Sequence, residues 1–173
     1  PHWLEEAAGM AEGAELPVDA ILTNSCLPPG VLPVTTSNCT TFIAQDTDAL
    51  MLMKIRDERD RAQSVHRQKA TGHLGFQCGR DIGNLGAAHA MNEYGVAGAC
   101  NTGSHTQRVG DSPKLNDCHV LRYFAENARG VADIPALYSK LIDLGVVGGA
   151  GPGRGAIYIL ADPEKALILE CVE

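Results

Sequence analysis

The chain opens with helical periodicity and then changes to short runs that are typical of strands. Residues 3–14 are rich in Ala and Glu and predict a helix. Pro17 begins a second short helical segment that extends to Ser25. Three prolines and a glycine within 26–37 remove backbone donors, so this stretch is predicted to be a connecting loop.

Five runs of strand-forming residues follow this loop, with turn residues at 46–48 and at 92–95. The predicted strands span 39–45, 49–56, 73–78, 86–91 and 96–102. The charged stretch 57–72 is predicted to be a loop that crosses the surface, because its polar residues show no helical or strand pattern.

The second half of the chain predicts two helices and a hairpin. The first helix spans 117–128, and the second runs between a predicted N-cap at Asp133 and a stop at Gly145. After a glycine-rich connection at 148–155, two further strands at 156–161 and 166–172 form a hairpin. Sequential hairpins pair antiparallel, and helices with one apolar face must cover sheets, so the predicted class is α+β.

Composition and charge exclude several classes of protein. The chain has 173 residues, 45% of them apolar and 20% charged, which is enough to build the core of about one domain. Its net charge is −7, and it has no cluster of Lys and Arg, so a nucleic acid is not an expected partner. No apolar run approaches the roughly 18 residues that span a bilayer, so no membrane association is expected.

The six cysteines are predicted to be mostly free thiols, as in a cytoplasmic protein, because they are widely spaced in a chain with ample core residues. No two of them form a C-x-x-C, and Cys118 and His119 would point to different sides of a helix, so no structural metal site is predicted. The glycine run at 148–155 does not match G-x-G-x-x-G and precedes a strand, so no cofactor is predicted either.

Cys39 is the residue with the clearest candidate chemistry. It lies at the start of a predicted strand, directly after the proline-rich loop. Its thiolate could attack the carbonyl of Asn38, shift the acyl group from N to S, and release Cys39 as a new N-terminus after hydrolysis. The freed α-amine has a pKa of about 7.7–8.0, so it could act as the general base beside its own thiol.

Hairpin geometry predicts which residues surround Cys39. A turn centred on Thr47 and Asp48 places Cys39 opposite Arg56 and diagonal to Asp57. A carboxylate there could hold the α-ammonium, and a guanidinium could bind a substrate carboxylate or favour the thiolate. The alternative is that this charged run forms ion pairs on a solvated face of the hairpin.

Five short motifs follow one another along the chain. They are GMAEGA at 9–14, NCTTF at 38–42, KIRDE at 54–58, NEYGVA at 92–97 with Asn101, and AD…A…E at 161–170. In these motifs and their order, over nearly its whole length, the chain resembles the N-terminal nucleophile (Ntn) hydrolases of the penicillin acyltransferase type, relatives of choloylglycine hydrolase.

The resemblance implies a four-layer αββα sandwich, of which the chain would be the N-terminal part. Residues 1–38 would be a helical pro-segment and loop, and residues 39–173 a partial Ntn-hydrolase core. The zymogen would cleave itself between Asn38 and Cys39, then act without a cofactor as an amidase or acyltransferase on a linear or small-molecule amide. A homo-oligomer is an open alternative to a monomer.

The resemblance also implies roles for four residues. Cys39 would be the nucleophile and would carry an acyl-thioester, Asp57 would orient its amine, and Arg56 would assist at the substrate. Asn101 would stabilise the oxyanion through its backbone N–H or its side chain. The chain departs from the family at Ile55, where many relatives carry Asn, and in length, because the relatives extend further and supply a second oxyanion Asn.

Two alternatives remain open on the sequence. Ile55 and the missing second oxyanion group favour a non-catalytic αββα domain that serves binding or assembly. A thiol hydrolase with a separate histidine base is the other, and His89 and His105 are its candidates.

Overall fold

The computed structural model describes residues 2–26, 38–57, 62–105, 114–150 and 154–171. Nearly all of the predicted proline-rich loop, residues 27–37, lies outside these ranges, as do 58–61, 106–113 and 151–153. Side chains are described throughout the ranges except at residues 26, 38, 104 and 105.

Four α-helices and eight strands occur in the described ranges, with a short 3₁₀ helix at Val131–Asp133 before the last α-helix. The helices are α1 (His2–Ala14), α2 (Val18–Cys26), α3 (Asp117–Asn127) and α4 (Ile134–Asp143). The strands are β1 (Asn38–Gln45), β2 (Leu50–Asp57), β3 (Gln63–Gln68), β4 (Phe76–Asp81), β5 (His89–Asn92), β6 (Ala97–His105), β7 (Arg154–Ala161) and β8 (Ala166–Cys171).

The strands form two antiparallel sheets. The six-stranded sheet has the order β3-β4-β5-β6-β7-β8, so each strand pairs with its neighbour in the chain. The hairpin β1-β2 forms the second sheet and contacts β6 and β7. The predicted α+β class is therefore confirmed, with helices and two antiparallel sheets.

The two faces of the six-stranded sheet are covered by different elements. Because side chains alternate along a strand, Cys100 of β6 points towards α3, where its sulfur meets Cys118, while Asn101 points towards the hairpin and contacts Thr41. The helices thus cover one face, which we call the helix face. The hairpin lies on the other face, which we call the hairpin face.

The main core lies between the helix face and the helices α3 and α4. Phe124 and Tyr158 are 1% and 0% exposed, and their rings meet edge to face at a centroid distance of 5.6 Å. Each large apolar side chain buried in this way contributes about 1.5–3 kcal/mol to folding. This core holds β6 rigidly, and β6 carries residues that face the candidate site.

Helices α1 and α2 pack on the helix face beside α3. Ala7 and Ala11 lie one turn apart on α1 and are buried against Ile21 of α2 and Leu85. Small residues at this spacing let the two helices approach closely. None of the described helices is long and apolar enough to cross a bilayer.

The prediction of a loop over 57–72 is wrong, because this stretch contains the edge strand β3. Its exposure alternates, but its half-buried positions are polar: Gln68 donates to Glu6 of α1, and Ser64 contacts His66. An edge strand that packs against a helix through polar side chains lacks the apolar alternation that marks most strands. Six strands therefore precede α3, where the sequence predicts five.

Several predicted boundaries also differ from the structure. Strand β4 begins at Phe76 and not at 73, and β5 spans 89–92 and not 86–91. Asp133 does not cap α4 with its side chain; it accepts the N–H groups of Arg129 and Gly130 ahead of the 3₁₀ helix. Gly145 follows α4 with a φ of 68°, which confirms the predicted stop.

Candidate active site

Cys39 is the second residue of β1 and is paired with Arg56 of β2. This register confirms the hairpin prediction, and it also pairs Asn38 with Asp57. The register follows from the tight turn at 46–49, in which the N–H of Asp46 donates to the carbonyl of Ala49.

Alternation along the hairpin decides which of its side chains face the six-stranded sheet. Cys39 and Thr41 are half-buried on β1, and Lys54 and Arg56 are half-buried on β2. The residues that alternate with them, such as Phe42 and Ile55, are exposed. Cys39 and Arg56 therefore share the inner face of the hairpin, opposite β6.

Asn101 of β6 lies directly below this inner face and is 9% exposed. Its side-chain oxygen accepts from Thr41 Oγ1 at 2.9 Å and from Lys54 Nζ at 2.8 Å. Lys54 Nζ also donates to the backbone carbonyl of Cys100. Because the oxygen end of the amide is engaged, its NH₂ end is the part that can donate to a ligand.

Arg56 is held from below by Asp81 of β4. Arg56 Nη1 and Asp81 Oδ1 are 2.5 Å apart, and the two side chains are 12% and 19% exposed. The ion pair fixes the guanidinium beside Cys39 in the space between the sheets. Sequence reasoning missed Asp81, since its partner becomes visible only when the hairpin is placed on β4.

Asp57 lies at the end of β2, where the alternation makes it an exposed residue. Its side chain is on the outer face of the hairpin, whereas that of Cys39 is on the inner face. Among the described residues, Asp81 of β4 is the carboxylate that pairs with Arg56 on the inner face. A role for Asp57 must therefore involve the backbone amine of Cys39, and that role stays a prediction.

His89 of β5 belongs to the same hairpin face. Its imidazole covers Gly79, where any side chain would clash with the ring. Burial, followed by the charges of Lys54 and Arg56, lowers the pKa of His89 below its usual value. The ring is therefore neutral at pH 7, and its buried Nδ1 has no hydrogen-bond partner among the described residues. The side chain of His105 lies outside the described residues.

A cavity of about 390 Å³ opens beside His89, between β2 and strands β3–β5. This volume suits a small-molecule ligand. The lining residues are mostly apolar and include Leu50, Leu52, Val65, Ala90 and Met91. Cys39 is not among the lining residues, and His89 of the hairpin face is one of them.

Two residues of the motifs are explained by the turns that they hold. Asn92 is buried; its NH₂ group donates to the carbonyls of Ala125 and Ala128, and its oxygen accepts the N–H groups of Tyr94 and Val96. It ties the turn after β5 to the end of α3. In the same way, the Asp162 carboxylate accepts the N–H groups of Val131, Glu164 and Lys165. These residues position β6 and β7 and lie away from Cys39.

No family model matches the chain, and no curated protein matches it significantly. The geometry of the hairpin face is therefore the basis for a functional proposal.

Proposed function

We propose that this protein is an autoprocessed cysteine hydrolase or acyltransferase of the Ntn type, with Cys39 as its nucleophile. One observation carries the proposal: Cys39 and Arg56 are paired on the inner face of a hairpin that packs on Asn101. A nucleophile, a cation and an amide donor thus share one space between two sheets. The proposed complete fold is a four-layer αββα sandwich.

Maturation would begin with attack of the Cys39 sulfur on the carbonyl carbon of Asn38. The C–N bond breaks as the acyl group moves to sulfur, and the nitrogen takes a proton to become the α-amine. Water then hydrolyses the thioester and leaves a carboxylate on Asn38 and a free thiol on Cys39. Residues 1–38 would be the released pro-segment.

Turnover would use the same sulfur together with the new amine. The amine accepts the thiol proton while sulfur attacks the substrate amide, and it returns the proton to the leaving nitrogen. The NH₂ group of Asn101, whose carbonyl end is held by Thr41 and Lys54, would stabilise the oxyanion. One such donor is worth about 2.7–4 kcal/mol of barrier lowering. Water or an amine then takes the acyl group from Cys39.

The ion pair of Arg56 with Asp81 keeps a positive charge beside the thiol. A guanidinium in this position would bind a substrate carboxylate. The nearby apolar cavity suits the acyl or amine portion of a small-molecule amide.

Acyl trapping tests the proposal. The mature protein is incubated with a reactive acyl ester, and the modified residue is located by peptide mass spectrometry. We expect one acyl group on Cys39, which ammonia or hydroxylamine removes, and no acylation of a Cys39→Ala variant. Cys171→Ala is the matched control, because Cys171 is a half-buried free cysteine on β8. Equal labelling of both cysteines, or an unreactive Cys39, contradicts the proposal.

The exposed outer face of the hairpin favours a second candidate, a binding or assembly domain. Phe42, Met51, Met53 and Ile55 are 42%, 51%, 41% and 47% exposed and lie side by side on that face. Apolar residues grouped in this way are typical of surfaces that another element or protein covers. A folded protein in which Cys39 resists every alkylating agent would favour this candidate over the enzyme.

The neutral imidazole of His89 favours a third candidate, a thiol hydrolase with a separate base. In this case the His89→Gln variant loses activity and its pH profile changes, whereas blocking cleavage at Asn38 has no effect. If activity follows the free α-amine, the histidine is not the base.

A further inference from the structure

Three potential metal ligands meet on the helix face of the sheet, across β6 from the candidate active site. Cys100 projects from the centre of β6, and Asp117 and Cys118 begin α3. The two sulfurs are 3.6 Å apart, and the sulfurs and a carboxylate oxygen of Asp117 all lie within 4.8 Å of one another.

The spacing of these atoms fits a tetrahedral ion. Zinc binds cysteine sulfur at about 2.3 Å, so two sulfurs on one zinc ion are about 3.8 Å apart. The observed sulfur separation is close to this value. Asp117 Oδ1 accepts the N–H of Cys118 at 2.8 Å, which holds the carboxylate over the first turn of α3.

The surroundings of the cluster also allow a cation. Lys54 donates to the carbonyl of Cys100 and to the side chain of Asn101 on the hairpin face, so its ammonium is engaged there. The first turn of a helix favours negatively charged groups, such as the carboxylate and thiolate that would bind the ion.

We propose that Cys100, Asp117 and Cys118 form a binding site for Zn²⁺, with water in the fourth position. Binding replaces the two thiol protons, which pass to solvent, and forms two Zn–S bonds and one Zn–O bond. The ion would fasten the start of α3 to the central strand β6. The site does not depend on the chemistry proposed for Cys39, because it lies on the other face of the sheet.

A second group, formed by His2, His73 and Glu126, fits a cation less well. The carboxylate of Glu126 already accepts from Trp3 Nε1 and Arg122 Nε. The guanidinium of Arg122 would also repel a metal ion there.

Cobalt titration tests the zinc site. The reduced, chelator-treated full chain is titrated with Co²⁺, whose tetrahedral thiolate complexes show sulfur-to-metal charge-transfer bands and intense visible bands. We expect saturation at one equivalent and displacement by Zn²⁺. Asp117→Asn and Cys118→Ser should each weaken Co²⁺ binding at least about 100-fold, more than the loss of an outer-shell partner costs. Cys171→Ser is the matched control and should bind as the wild type does.

Alkylation of the wild-type protein gives a readout that needs no variant. Because metal-bound thiolates lose nucleophilicity, Zn²⁺ should slow alkylation of Cys118 at least about 10-fold, while Cys171 reacts at an unchanged rate. The affinity for Zn²⁺ should rise with pH, because binding releases protons. Absence of charge-transfer bands in the reduced protein, or equal protection of both cysteines, overturns the proposal. A Cys100–Cys118 disulfide in a protein that binds no Co²⁺ when reduced would instead identify a redox pair.

Discussion

The ion pairs between arginine and carboxylate side chains on the two faces of the six-stranded sheet differ in how far they are exposed to solvent. On the helix face, Arg122 pairs with Glu6 at 2.7 Å and with Glu126 at 2.8 Å, and the side chains of Arg122 and Glu126 are each 3% exposed. On the hairpin face, the partners Arg56 and Asp81 remain 12% and 19% exposed, and Arg56 is paired with Cys39 across the hairpin.

The difference separates an ion-pair network sealed in the core from an ion pair that lies beside the proposed nucleophile. Arg122 also donates to the carbonyl of Leu85 and lies 4.9 Å over the Trp3 ring, so its donors are used within the fold. Its network joins α1, β4 and α3 through Glu6, which also binds Arg80. Arg56, which pairs with Asp81, lies instead opposite Cys39, where the proposed substrate would bind.

The strongest test of the contrast is removal of the charge at Arg122. Arg122→Met removes the guanidinium that the buried carboxylate of Glu126 and the half-buried carboxylate of Glu6 share, and breaking a buried pair in this way costs about 3–5 kcal/mol. Urea unfolding measures the change. Lys69→Met is the matched control: it breaks the Lys69–Glu93 pair, whose side chains are 62% and 41% exposed, and should leave the midpoint almost unchanged. Equal effects would remove the distinction between the faces.

A pH effect on the helix face is expected next in size. Burial, followed by the charge of Arg122, lowers the pKa of His119 from 6.5 to about 4. Between about pH 4 and pH 6.5, His119 therefore carries a proton in the unfolded chain but not in the folded chain. The free energy of unfolding should have its full value above pH 6.5 and fall by about 3 kcal/mol as the pH drops towards 4. His119→Gln should have a smaller slope of unfolding free energy against pH over this window, and an unchanged slope would contradict the burial argument.

On the hairpin face, loss of the ion pair should cost less. Asp81→Asn removes a charge-assisted bond to Arg56, worth about 1.5–3 kcal/mol. Asp57 follows Arg56 at the end of β2 and is exposed, so Asp57→Asn should leave the unfolding free energy unchanged. If both variants are measured for acyl transfer, Asp57→Asn tests the predicted role in orienting the amine without a stability loss. Unfolding at a lower urea concentration in Asp57→Asn would show that its carboxylate is structural.

The smallest effect is expected at Ile55 on the outer face of the hairpin. Its side chain is 47% exposed, so Ile55→Asn should change the stability of the monomer by less than about 0.5 kcal/mol. Size-exclusion chromatography of Ile55→Asn and of wild type distinguishes an uncovered face from an assembly surface. A shift to a smaller species in the variant would favour the assembly candidate.

The hairpin was predictable because local rules determine it. The turn at 46–49 sets the register, which pairs Cys39 with Arg56 without any knowledge of the remaining fold. The two N-terminal helices, α3 and the last hairpin were predictable for the same reason, since periodicity and turn residues mark each of them.

The contacts between elements were not predictable. Asp81 reaches Arg56, and Lys54 reaches Asn101, only because the hairpin lies on β4 and β6 in one particular orientation. Cys100 and Cys118 meet through the packing of a helix on a strand. The strand β3 was missed because its inward residues are polar partners of α1. Sequence patterns report periodicity, and they carry little information about such pairings.

N-terminal sequencing of the purified full-length protein tests the central claim most directly. If Cys39 is released as a new N-terminus, a second sequence beginning Cys-Thr-Thr-Phe appears in equal amount with the original one or replaces it. A single uncut chain in which the bond between Asn38 and Cys39 survives, in a preparation that is folded and active, would contradict the account.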